Sequence, residues 1–136
     1  MKFSRTVIVF DSSDLEAESV FWASVFKGRV LKDEKWHSVI DQHGQWLIGI
    51  QLNPEHIKPE WPQGEQQQQI HLDLHVVDPL QSHEELLSLG ATLLQGAIDI
   101  YAESGFQVYA DPAGHPFCMG WGHPTSEQLT NFLSNK

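Results

Sequence analysis

Residues 70–78 read "IHLDLHVVD". Ile70, Leu72, Leu74 and Val76 alternate with His71, Asp73 and His75, the period of two that marks a half-buried β-strand. The stretch runs straight into "PLQSHEELLSLG" (79–90), which reads as a helix with Pro79 in its first turn and Gly90 at its end. The same grammar stands at the head of the chain. "KFSRTVIVF" (2–10) predicts a strand, and "DSSDLEAESVFWASVFKG" (11–28) predicts a helix capped from residues 12–14 and ended by Gly28. Asp14 falls over Asp78, and Gly28 falls near Gly90.

Each half then continues with three short strands. In the first these are "RVLKDE", "WHSVID" and "QWLIGIQL", the last two joined by the turn "DQHG". In the second they are "ATLLQG", "GFQVYAD" and "HPFCMGWG", the last two joined by "DPAG". The chain is thus a β-α-β-β-β unit written twice, and repetition of this kind organises a whole fold. The modules occupy 1–52 and 70–122. Residues 53–69, "NPEHIKPEWPQGEQQQQ", form a proline-rich linker between them. A closing helix is expected over 125–134, with Thr125 and Gln128 at capping-box spacing. The whole of 1–136 is expected to fold as one domain.

Composition narrows the functional classes. Eighteen acidic residues against eight Lys and Arg give a formal charge of −10. Such a surface repels phosphate backbones, so nucleic acid is not expected as a partner. No apolar run approaches the roughly 18 residues of a membrane span, so no membrane partner is expected either. The single cysteine, Cys118, cannot form an internal disulfide, which suits a reducing compartment and a cytoplasmic location.

The stretches "VIVFDSSDLEAESVFW", "PEWP", "IHLDLHVVD", "LGA" and "DPAGHPFC", taken in this order and spacing, resemble the vicinal oxygen chelate superfamily, and within it the small glyoxalase-like and bleomycin-resistance-like proteins. The resemblance implies an α+β fold in which two βαβββ modules curl into a cupped mixed β-sheet with helices outside (the glyoxalase/bleomycin resistance/dioxygenase fold). It also implies a homodimer and a cup that holds a metal or a small-molecule ligand. Carried over residue by residue, the metal-ligand positions of that family fall on Val7, Gln51, His71 and Cys118. Valine binds no metal, and a hard cation would find at most one amide oxygen in this set. Asp73 lies two residues from His71 on the same strand face, about 6.5–7 Å along it, and could substitute.

Two functions follow as expectations. The first is a small-molecule-binding or sequestering protein with a degenerate metal site and no cofactor. Its cup would be lined by Val7, Gln51, His71, Asp73 and Cys118, with Trp61 near the rim. The second is a metal-dependent lyase, isomerase or dioxygenase of the glyoxalase type, with a divalent transition metal on Gln51 and His71. A plain interaction module without a ligand is a third. Blander readings stand beside these. The "HLDLH" face could be the wet side of a sheet, Cys118 a small buried residue and Trp61 a pin for its loop. Trp22 reads as core, the acidic residues of the first helix as a solvated face, and His115 as serving its turn.

Overall fold

A computed structural model describes residues 1–135. Its elements follow the order β1 (Ile8–Ser12), α1 (Leu15–Val25), β2 (Arg29–Lys32), β3 (Trp36–Ile40) and β4 (Trp46–Leu52), then β5 (Asp73–His75), α2 (Pro79–Ser88), β6 (Thr92–Gln95), β7 (Gly105–Ala110) and β8 (Pro116–Trp121), and finally α3 (Ser126–Ser134). The doubled β-α-β-β-β order expected from the sequence is present. Two four-stranded mixed sheets result, ordered β1-β4-β3-β2 and β5-β8-β7-β6. In each, the module's first strand pairs in parallel with its last, and the remaining pairs are antiparallel.

The helices start where side-chain oxygens can satisfy their free amide hydrogens. Asp14 accepts from Ala17 N and Asp78 from Gln81 N, while Thr125 and Gln128 close a capping box on α3. The end of α1 departs from expectation. Lys27, not Gly28, takes the left-handed turn, with φ 52°. Gly28 is needed for another reason: a Cβ there would stand 2.4 Å from the Ile40 carbonyl oxygen, so the chain can leave α1 against β3 only through a glycine.

The core forms where α1 covers its own sheet and reaches the other one. Val39, Ile48 and Ile50 are buried beneath the helix. His37 is buried with them and shares a 2.8 Å hydrogen bond with Ser19 of α1. Trp22 is fully buried; its ring packs on Phe10, Phe21 and Phe26 from the first module and on Phe117 from the second. Edge and stacked aromatic contacts of this kind add to the area term.

Two sequence expectations are corrected at this junction. Glu18, assigned to the solvated face of α1, has no exposed surface. Its carboxyl accepts hydrogen bonds from Trp22 Nε1 (3.0 Å) and Ala113 N (2.9 Å), and it faces Asp111. Burial, and then the neighbouring Asp111, push Glu18 up to about 10, so it is protonated at neutral pH. A second-module turn thus supplies the partners that make burial of a first-module carboxyl tolerable. His115 likewise does more than serve its turn: its Nε2 lies 2.7 Å from the Asp11 carbonyl oxygen, and its ring stacks on Phe10.

The strand "IHLDLHVVD" is shorter than its alternation suggests, with only Asp73–His75 laddered to β8. Leu74 and Val76 do pack toward α2, lining a small apolar cavity with Leu86 and Leu89. Ile70, expected on that packed face, is instead 81% exposed, because the chain there lies outside the ladder and beyond the reach of α2. Among the described residues, no helix is long and apolar enough to cross a membrane.

Candidate metal centre

The alternation of β5 sends Leu74 toward α2 and leaves Asp73 and His75 on the opposite, concave face, with His71 on the same side just before the strand. Parallel pairing sets Asp73 directly beside Cys118, and His75 beside Gly120. One donor atom from each of His71, Asp73 and Cys118 lies within 4.8 Å of the others. His71 Nε2 is 3.2 Å from Asp73 Oδ1, and both side chains are partly open to solvent. The Cys118 thiol is half-buried; burial pushes it up to about 11, helped by the adjacent Asp73 carboxylate, which accepts its hydrogen bond.

These three side chains line a cavity of about 340 Å³ with His75, Phe106 and His123. A wider groove of about 410 Å³ adjoins it at His71 and runs between the modules, past Val9 of β1, Gln68 of the linker and His115. Of the residues proposed from the sequence, the structure therefore brings His71, Asp73 and Cys118 together. Val7 is half-buried just ahead of β1, and Gln51 is exposed on β4 opposite Asp11; neither lines this cavity. Trp61 is half-buried in the linker and lines neither cavity. Sequence reading missed Phe106 and His123. A signal for Phe106 was available: the strand "GFQVYA" places it on the face opposite the buried Gln107 and Tyr109.

A nitrogen, a carboxylate oxygen and a sulfur suit a borderline transition ion rather than Mg²⁺ or Ca²⁺. Ligands bound at about 2.0–2.3 Å in a tetrahedral shell lie roughly 3.3–3.8 Å from one another. The three donor atoms lie within 4.8 Å of one another, and the cavity they line leaves room for a further donor. The residues present fit such an ion.

A family model for glyoxalase-like domains matches residues 7–120. The chain belongs to that family. It is a member of the vicinal oxygen chelate superfamily, as its doubled βαβββ order and its resemblance indicated. No curated protein matches the chain. Among solved structures, the fosfomycin resistance protein FosX from Mesorhizobium loti is similar at a TM-score of 0.65 and 17% identity, covering 95% of this chain and 99% of that one. FosX from Listeria monocytogenes complexed with Mn(II) and sulfate ion gives a TM-score of 0.64 and 16% identity, covering 97% of this chain and 99% of that one. A glyoxalase/bleomycin resistance/dioxygenase family enzyme from Burkholderia phytofirmans PsJN gives 0.63 and 16%, covering 85% and 96%. At these identities the likeness carries the fold. The expectation of no cofactor is nonetheless corrected: a protein of this glyoxalase-like fold holds Mn(II), which points to a metal rather than to none. The expectation of none rests on family donors lost at both Val7 and Cys118. Asp73, which the strand period offered as a substitute, lies within 4.8 Å of donor atoms of both His71 and Cys118.

Proposed function

We propose that this glyoxalase-like protein binds a small molecule in the second-module cavity, at a divalent transition metal held by His71, Asp73 and Cys118. The observation that carries the reading is the convergence of those three donors on the wall of an open cavity. When bound, such an ion supplies Lewis acidity toward an oxygen of the ligand. The protein's own groups do the rest. The close His71 Nε2–Asp73 Oδ1 contact sets these two donors side by side for the ion. His75 stands on the same face toward the end of β5, free to take or give a proton from a ligand in the cavity. A lyase or isomerase reaction on an oxygen-bearing substrate fits these parts.

Sequestration without turnover is the second reading. It is supported by the donor set itself: a carboxylate and a thiolate together match the two charges of the ion, which weakens its pull on a bound oxygen. Turnover separates the two readings. Metal-loaded protein that consumes a carbonyl or hydroxycarbonyl substrate, with the rate lost in His75→Ala and metal content retained, supports an enzyme. Tight binding with no consumption supports sequestration.

We also propose that two copies pair, which the exposed apolar residues Ile8 and Val9 on β1 and Leu129, Phe132 and Leu133 on α3 support. The cross-module contacts of Trp22 and Glu18 support residues 1–136 as one folding unit. A cytoplasmic setting is in keeping with the metal-binding thiol.

A further inference from the structure

Two adjacent rows of side chains cross the concave face of the second sheet. Register places Asp73, Cys118 and Val108 side by side in one row, and His75, Gly120 and Phe106 in the next. The first row carries the donors. In the second, a bare glycine stands between two rings. Phe106 is 52% exposed, although it is a large apolar residue of a laddered strand, one place in from its start. The His75 ring leans over Gly120, its Cε1 3.5 Å from where a Cβ would be. The outer strands of such a row are about 9–10 Å apart, and successive rows on one face are about 6.5–7 Å apart. A flat ring resting between His75 and Phe106 therefore leaves an oxygen attached to it within reach of the donor row.

Charge limits what that ligand can be. Seven of the eight Lys and Arg lie in residues 1–58, the eighth is Lys136, and none occurs in residues 70–135. That segment holds eight carboxylates: Asp73, Asp78, Glu84, Glu85, Asp99, Glu103, Asp111 and Glu127. Among the described residues, the cavity's basic groups are imidazoles alone, with no guanidinium or ammonium to clamp a phosphoryl group. With a divalent ion in place, the Asp73 carboxylate and the Cys118 thiolate bring the donor row to zero net charge. A dianion would meet an acidic module with nothing to offset its own charge.

Resting on the metal-site reading above, we propose that the site selects an uncharged ligand: a planar ring held between His75 and Phe106, bearing an oxygen donor for the metal. Phosphonates and phosphate esters are rejected. This sets the chain apart from its structural neighbour described in complex with a dihydroxypropylphosphonic acid.

The test is calorimetric titration of zinc-loaded full-length protein, with zinc content assayed before any probe is added. Three probes are used: benzohydroxamic acid (a ring on a chelator that is uncharged in solution and releases one proton to the buffer on binding zinc), acetohydroxamic acid (the same chelator without the ring) and phenylphosphonate (the ring on a group already anionic in solution). Benzohydroxamic acid is expected to bind at least tenfold more tightly than either of the others. Phe106→Ala, a change at an exposed site, is expected to keep its zinc and its acetohydroxamate affinity and to bring the two hydroxamates within about threefold. Equal affinity for the two hydroxamates, an unchanged preference in Phe106→Ala, or phenylphosphonate binding as tightly as benzohydroxamate would each overturn the proposal. So would zinc-loaded protein that binds no hydroxamate. Protein that takes up no zinc at all refutes the underlying metal site instead, and that result is read before the first injection.

Discussion

Val9 and Asp73 hold matching places in the two modules. Each lies five residues before the aspartate that caps its helix, and each stands in parallel register with the module's last strand, Val9 beside Gly49 and Asp73 beside Cys118. Val7 and His71 match in the same way, seven residues before the cap. One module thus offers Val7, Val9 and Gly49 where the other offers His71, Asp73 and Cys118. The backbone plan is shared, and the chemistry has gathered in one copy. The first module keeps a structural role. Its helix α1 carries Trp22 and Glu18 into the junction and is held there by Asp111 and Ala113 of the second.

The strongest way to break this division of labour is at Trp22. Truncating a fully buried tryptophan costs about 3–5 kcal/mol. Trp22→Ala is therefore expected to lose that much in urea unfolding monitored by circular dichroism. Because the ring packs on both modules, a single cooperative transition should shift as a whole. A second-module transition that stays in place would show that the halves are independent.

The donor asymmetry predicts the next largest effect. His71→Ala and Cys118→Ala are expected to weaken zinc binding about 100-fold or more in competition with a chromophoric chelator, since neither leaves three sound ligands. Val7→Ala and Gln51→Ala are expected to change it by less than about threefold. A large loss in Gln51→Ala would bring the first module back into the site.

A smaller effect concerns pH. Glu18 is raised in the folded protein above its ordinary value near 4.5, so its contribution is fully present below that value and is lost as pH rises toward about 10. Wild-type stability is expected to fall across this range with a slope of up to one proton from this group. Glu18→Gln keeps an N–H donor toward Asp111 and cannot ionise, so its profile in urea titrations at pH 6, 7.5 and 9 should be flatter. Parallel profiles would place the ionisation elsewhere.

The repeat, the helix caps and most strand positions were legible because they rest on local chemistry: alternation, an aspartate before each helix, and turn residues. What escaped the sequence depended on contacts between distant segments. Glu18 reads as solvated on a helical wheel, and only the Asp111–Ala113 turn, some 95 residues away, makes its burial possible. Ile70 fits the alternation, but the ladder that would extend the strand begins three residues later. At the site, His71 and Cys118 were found by family position and Asp73 by strand period. Their convergence, however, required the parallel β5–β8 register, which alternation alone does not fix. Gln51 illustrates the opposite error. It lies opposite Asp11, the place that matches Gly120 rather than Cys118, so its position at the end of a cup strand did not bring it to the donors.

The central claim is that one transition ion binds in the second module through His71, Asp73 and Cys118. Cobalt(II) titration of metal-free protein tests it most directly, because a thiolate bound to cobalt gives a charge-transfer absorption that other ligands do not. The expected result is one equivalent of cobalt per chain, with the thiolate band present in wild type, abolished in Cys118→Ser and strongly weakened in His71→Ala and Asp73→Asn. Failure to bind a stoichiometric ion, or cobalt binding that is unchanged in Cys118→Ser and His71→Ala, would contradict it.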